Sequence, residues 1–239
     1  MKLRLDDLML DGLKIYQYKD GYNFTSDSVL LANFVSTKKC SRCVEIGTGS
    51  GIISILVSHK QQPQKIYAFE IQKKYSDLAK KNIEYNKIGN IEVINDDIEN
   101  FSKYLDAEVD VVFCNPPYFS GEITSQNEEI ALSRHQKYLP LEKLAKVSSK
   151  LLKFGGSFFV VYPAEKLCEL ICALVKYNLI PKKMFFAQPN LQKNANTVYV
   201  MCKKGGKFSV KVMPVLVTND LDGNYVQTIQ KLYRDEVKR

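Results

Sequence analysis

The stretch Cys43-Val44-Glu45-Ile46-Gly47-Thr48-Gly49-Ser50-Gly51 decides the fold. A short apolar run breaks into glycines and then into a helical pattern over 51–58, so the segment reads as strand, tight turn and helix. Glycines there permit the turn and let the backbone approach a ligand closely. The spacing is GxGxG, not the GxGxxG of dinucleotide sites, and the acidic residue Glu45 stands just before it.

Outward from this turn, short β-branched runs alternate with helical patterns. Strands are predicted over 66–69, 91–94, 109–114 and 157–162, and helices over 73–86, 141–152 and 165–176, with Gly155-Gly156 closing the second of these helices. That alternation predicts an α/β fold: a parallel sheet with helices on both faces. Two further strands, 184–187 and 197–202, have only a polar loop between them and are expected to pair antiparallel. Residues 207–217 read as an edge strand and 221–239 as a charged helix. At about 150 residues per domain, 239 residues make one large domain, here an N-terminal extension over 1–42 that covers the ligand site, a core over 43–203 and an appendage over 204–239.

With 45% hydrophobic and 25% charged residues the chain excludes a disordered protein. The longest apolar run, 158–162, is far below the roughly 18 residues of a membrane span. Residues 1–11 carry Lys2, Arg4, Asp6, Asp7 and Asp11 and do not read as a secretory leader, so a cytoplasmic protein with reduced thiols is expected. Cys40 and Cys43 have CxxC spacing, but no second pair or His cluster completes a metal site, and no metal is expected. Cys168 and Cys172, four apart on a helix, read as small core residues. His59 reads as a partner for a helix C-terminus.

The strand ends carry the candidate ligand site. Glu70 ends the second strand, 19 residues after Gly51, where an acidic side chain accepts ribose hydroxyls. Asp96 and Asp97 end the third strand, where they read either as ligand contacts or as a solvated helix cap. Glu45, Glu70 and Asp97 are expected to converge on one ligand bearing a ribose, an amino group and positive charge, which S-adenosylmethionine supplies without a phosphate.

The fourth strand runs into Asn115-Pro116-Pro117-Tyr118. Two prolines fix the backbone and remove two donors, leaving the Asn115 side-chain oxygen and the Pro116 carbonyl as acceptors. A pair of fixed acceptors holds the two hydrogens of a planar amino group, and Tyr118 offers a ring to stack on its base. Adenine's exocyclic amine is a poor nucleophile because its lone pair is delocalised, and two acceptors favour the pyramidal form that aims that lone pair at a methyl donor.

These residues resemble the class I S-adenosylmethionine-dependent methyltransferases that methylate amino groups, over about 43–162. Segment 17–34, the loop Leu132-Ser133-Arg134-His135 and Asn196-Thr197-Val198-Tyr199 extend the resemblance to the bacterial tRNA1(Val) (adenine(37)-N6)-methyltransferases, which act in the anticodon loop. The resemblance implies a Rossmann-like, seven-stranded, mostly parallel sheet with the last strand antiparallel. It implies S-adenosyl-L-methionine held by Asp27, Glu45, Gly47, Thr48, Gly49, Gly51, Glu70, Ile71, Asp96, Asp97 and Asn115, with Asp27 near the methionine end. Tyr118, Arg134 and His135 would contact substrate, and the expected partner is tRNA; the sequence leaves the oligomeric state open, with a monomer favoured.

The net charge of +8 favours a polyanionic partner. It is carried by 29 lysines against five arginines, which suits phosphate contact rather than the reading of base edges. Two alternatives stay open. A protein glutamine N5-methyltransferase of the release-factor type uses the same tetrapeptide but carries an extra N-terminal domain. A non-catalytic nucleotide-binding module has no use for Asn115. A DNA adenine methyltransferase needs a recognition domain for which the C-terminal third leaves little room.

Overall fold

Continuous apolar runs make the strands of the core, because both faces of its sheet are covered. The computed structural model describes residues 2–19, 21, 23–116, 139–220 and 222–227. In chain order these form β1 (Leu3–Asp7), β2 (Lys14–Tyr18), α1 (Ser26–Phe34), β3 (Arg42–Ile46), α2 (Ile52–Gln61), β4 (Lys65–Phe69), α3 (Lys73–Tyr85), β5 (Ile91–Ile94), β6 (Val109–Cys114), α4 (Leu141–Leu151), β7 (Leu152–Pro163), α5 (Leu167–Lys176), β8 (Leu179–Gln188), β9 (Thr197–Lys204), β10 (Lys211–Val212) and β11 (Leu216–Val217).

The large sheet runs β10-β8-β9-β7-β6-β3-β4-β5. Its seven long strands are parallel except β9, which lies between β7 and β8 and is antiparallel to both. This is the Rossmann-like order expected, with the last long strand reversed. Alternation along each strand divides the core. Val111 and Phe113 join Ile55 and Leu31 on the side of α1 and α2. Val112 and Cys114 join Leu144 and Leu174 on the side of α4 and α5. Truncating a ring as enclosed as Phe113 costs about 3–5 kcal/mol.

Several sequence expectations are corrected. Gly155 and Gly156 do not close α4, which ends at Leu151; they lie inside β7, where the register with β6 shifts between Val109 and Val111 and β7 bulges. β8 starts five residues earlier than predicted, at Leu179, because Pro181 is absorbed at a second irregularity, between Pro181 and Lys183. The edge expected over 207–217 is two two-residue strands, both parallel to β8. Cys168 and Cys172 are exposed, because the buried stripe of α5 is Leu170, Ala173 and Leu174, on the other face. The expected helix over 221–239 falls mostly outside the described residues.

The N-terminal hairpin of β1 and β2 is a feature the pattern reading missed. It turns at Asp11-Gly12, a dipeptide that favours tight hairpins. The hairpin docks on α3 through two asparagines. Tyr16 N–H donates to Asn82 Oδ1 at 2.7 Å, Asn82 Nδ2 returns a bond to the Tyr16 carbonyl at 3.0 Å, and Asn86 makes the same exchange with Lys14. His59 ends α2 and meets the hairpin turn, its Nε2 2.9 Å from Asp11 Oδ2. Among the described residues, no helix is long and apolar enough to cross a membrane, and no cluster of His, Cys, Asp or Glu could hold a metal ion.

Candidate functional site

The strand order reverses between β3 and β6, since β3 leads towards β4 and β5 while β6 leads towards β7. A crevice opens at the carboxyl ends of the strands at such a point. Here it is a cleft of about 780 Å³, counted out to solvent. The end of β3 supplies Ile46, Gly47 and Gly49; the end of β4 supplies Phe69, Glu70 and Ile71; Asp96, Asp97 and Ile98 follow β5; Asn115 follows β6. Gln72, Tyr75 and Leu139 complete the wall and were not anticipated.

The glycine turn is shaped by two different demands. Gly49 has φ +57° and an added Cβ would meet nothing within 4 Å, so its backbone faces open cleft. Gly51 has φ +86°, but a Cβ there would lie 3.4 Å from Ala79 Cβ, so this glycine serves the packing of α3 rather than the cleft. Asn82, fully buried, ties the turn down by donating Nδ2 to the Ser50 carbonyl at 2.8 Å.

Of the three carboxylates expected to converge, Glu70 and Asp97 stand on the cleft wall and Glu45 lies behind it. Strand parity explains this. Val44 and Ile46 point to the α4–α5 side, so Glu45 between them points under α2. There its Oε2 accepts from Thr48 Oγ1 at 2.7 Å, from Ser54 N–H at 3.2 Å and from Ser54 Oγ. The Ser54 N–H is one of the donors a helix start leaves unpaired, and the helix dipole favours a carboxylate at that end. Thr48 accordingly serves Glu45 and is itself buried. Burial pushes the Glu45 carboxyl up to about 7 against the pull of Ser54 and Thr48. Its Oε1 is buried with no partner among the described residues.

Glu70 is 6% exposed and takes backbone N–H bonds from Gly49 at 3.0 Å and Gln72 at 2.9 Å. Burial raises its pKa, which those N–H groups oppose. Asp96 is saturated by Asn100, Tyr104 and the Asp97 N–H, and the first two hold its carboxyl below the usual range. Asp97 does both things the sequence left open. It lines the cleft and caps the short 3-10 helix Ile98–Lys103, accepting from Glu99 N–H at 3.0 Å. Lys143 of α4 joins Asp97 at 2.9 Å and Glu99 at 3.0 Å. Burial works against the Lys143 charge, but the two carboxylates outweigh it and its pKa is raised.

Ile71 sits at the rim, 40% exposed. Asp27 on α1 accepts from the buried Tyr199 hydroxyl at 2.8 Å, and Tyr199 stacks on Phe185 at 4.4 Å. Asn115 donates Nδ2 to Ser28 Oγ at 3.1 Å, and among the described residues its Oδ1 accepts no hydrogen bond. Pro116 is buried. Pro117, Tyr118, Arg134 and His135 lie outside the described residues. The missed residues had one readable signal: Asn82 is a polar residue on the apolar stripe of Leu78, Ala79 and Ile83.

The donor set fits S-adenosylmethionine. No Lys or Arg lines the cleft among the described residues, so phosphates find no cation there. Phe69, Ile71, Ile98 and Leu139 offer apolar surface for a flat base, Glu70 offers acceptors, and open space lies before Gly47 and Gly49.

Comparison with known proteins agrees. A tRNA1(Val) (adenine(37)-N6)-methyltransferase of Bacteroides thetaiotaomicron is 31% identical over 157 residues, covering 64% of this chain. That match spans 65% of the relative's own length, just under two thirds. The enzyme of the same name from Haemophilus influenzae is 26% identical over 88% of this chain and 89% of its own. Among solved structures, a predicted O-methyltransferase from Agrobacterium tumefaciens superimposes with a TM-score of 0.69 at 17% identity, covering 87% of this chain and 96% of that one, which shows the shared fold. The family model of the methyltransferase small domain matches residues 23–174, and the chain belongs to that family.

Proposed function

We propose that this protein transfers a methyl group from S-adenosyl-L-methionine to the exocyclic N6 amine of adenine 37 in tRNA1(Val). One observation carries the chemistry: Asn115 stands on the cleft wall at the end of β6, with its amide nitrogen engaged by Ser28 and its oxygen without a partner among the described residues. The names of the relatives support the substrate. A loop adenine is unpaired or easily splayed, so taking it into a pocket costs less than flipping one from a duplex.

The cofactor supplies an electrophilic methyl carbon on a positively charged sulfur. The residues of this chain do the rest. Glu70 accepts the ribose hydroxyls, and Asp96 and Asp97 line the far end of the cleft. The Glu45 carboxyl lies behind the glycine turn with one oxygen unpaired among the described residues, and its negative charge, when ionised, would complement the charge on the sulfur. Asn115 Oδ1 and the Pro116 carbonyl accept the two amine hydrogens, fix the plane of the base and favour the pyramidal nitrogen. The same acceptors stabilise positive charge as it develops on that nitrogen. Tyr118 stacks on the base, and Arg134 and His135 contact the RNA.

The decisive experiment incubates the protein and its Asn115→Ala variant with labelled cofactor and tRNA from a strain lacking the enzyme, then identifies the modified nucleoside by mass spectrometry. The wild type yields N6-methyladenosine, and the variant loses transfer while still binding cofactor. Label in protein glutamine, or a variant with unchanged turnover, would refute the reading. The release-factor alternative is not favoured by the relatives, which carry the tRNA name over as much as 91% of their length.

A further inference from the structure

Asn115 and Ser28 are 87 residues apart in the chain, yet their side chains meet at 3.1 Å. Ser28 lies on α1 and is 5% exposed. We propose that Ser28 is a positioning residue that anchors the Asn115 amide at the cleft, in the arrangement that leaves its oxygen towards the substrate amine. The inference rests on the methyl-transfer reading above and deepens it.

The physical need is specific to asparagine. Its amide has an acceptor end and a donor end of nearly the same shape, and the torsion that swaps them is broad and roughly two-fold. Only the oxygen can take a hydrogen from an amine. With the amide reversed, N–H would face N–H and the substrate amine would be pushed away. Strand parity places Asn115 on the α1 side of the sheet, because Phe113 packs with α1 and α2 whereas Cys114 packs with α4 and α5. The partner is therefore drawn from α1, and Ser28 receives Nδ2 there.

The anchor is itself held. Ser28 N–H bonds to the Thr25 carbonyl at 3.1 Å in the first turn of α1, and its neighbours Val29, Leu30 and Leu31 are buried against the core. The adjacent Asp27 is pinned by Tyr199 from β9. A rigid first turn of α1 thus fixes one amide across the top of the sheet. The hydroxyl can bond either end of the amide, so what Ser28 fixes is the position and angle of the group, and losing the anchor frees that angle. A misplacement of about 1 Å at a reacting centre costs up to about 100-fold in rate.

The test uses Ser28→Ala together with the near-isosteric pair Ser28→Thr and Ser28→Val, which differ by the hydroxyl at constant shape. Turnover, KM for tRNA and cofactor Kd are measured for each. Separately, the Asn115 side-chain amide is followed by 15N NMR, its signal assigned by its loss in Asn115→Asp. The expected result is a fall in kcat of about tenfold in Ser28→Ala, with KM and Kd within about twofold. The Thr variant should be at least about fivefold faster than Val, and the amide signal of Asn115 should shift in Ala and Val alone. Equal rates for Thr and Val, or wild-type turnover with an unmoved amide signal in Ser28→Ala, would overturn the proposal. If the wild type methylates no tRNA, the reaction reading fails, and the amide signal still decides whether Ser28 holds Asn115.

Discussion

Replacing Glu45 by Gln separates what this buried carboxyl costs the fold from what it does for the ligand. Glu45 is 1% exposed, and burial pushes its pKa from 4.5 to about 7. The unfolded chain ionises near 4.5, so between pH 4.5 and 7 the folded state holds a proton that the unfolded state has released. Stability from this group is complete below pH 4.5 and is lost as pH rises through 7. At about 1.4 kcal/mol per pH unit, the window is worth roughly 3 kcal/mol. Glu45→Gln does not titrate, and its amide oxygen can still accept from Ser54 and Thr48. Denaturant titrations of both proteins at pH 5, 6, 7 and 8 should show their stability difference moving in favour of the variant by roughly 2–3 kcal/mol across the series. In the same variant, cofactor affinity at pH 8 should fall, because a carboxylate buried behind the glycine turn would act on a cationic ligand through the wall and the amide carries no charge. A stability difference that stays flat with pH would show that Glu45 is ionised throughout in the folded protein. An unchanged affinity would remove it from the ligand's electrostatics.

Glu70→Gln should weaken cofactor binding about tenfold in titration calorimetry while leaving the single-turnover rate within about threefold, since Glu70 lies at the end of β4 and Asn115 at the end of β6. Asn82→Ala removes the partner of Tyr16 N–H, the Tyr16 carbonyl and the Ser50 carbonyl. It should cost about 2–4 kcal/mol in denaturant unfolding and loosen both the hairpin and the glycine turn in hydrogen exchange. Gly49→Ala and Gly51→Ala both force an L side chain into a left-handed conformation and should each cost about 1 kcal/mol. Only Gly49→Ala should also weaken cofactor binding, because its Cβ enters the cleft and that of Gly51 meets Ala79. Affinity for tRNA should fall at least about tenfold between 50 and 200 mM salt, as lysine–phosphate contacts release counterions, and a flat response would remove the basic surface from recognition.

The central strands β3 and β6 were readable because they are buried on both sides and stopped by a residue with a backbone reason to stop them. β3 ends before Gly47, and β6 ends before Asn115-Pro116. The hairpin escaped a search for apolar runs because β1 is half-exposed and buries no residue fully. Its signal was the Asp11-Gly12 turn instead. The misplacement of Glu45 has a more general cause. Reasoning from strand ends treats every residue near the carboxyl edge as facing the crevice, but a strand sends successive side chains to opposite faces. Val44 and Ile46 pack with Val112 and Cys114 beneath α4, so the carboxylate between them belongs under α2, where Ser54 waits. The same alternation, continued one residue past Cys114, sends Asn115 to the α1 side and into contact with Ser28. Parity therefore accounts both for the acidic residue that is withdrawn from the cleft and for the serine that was overlooked. A change that shifts β6 by one residue against β3 should abolish catalysis without removing a single catalytic side chain, because it would turn Asn115 towards α4 and leave the amine facing Cys114.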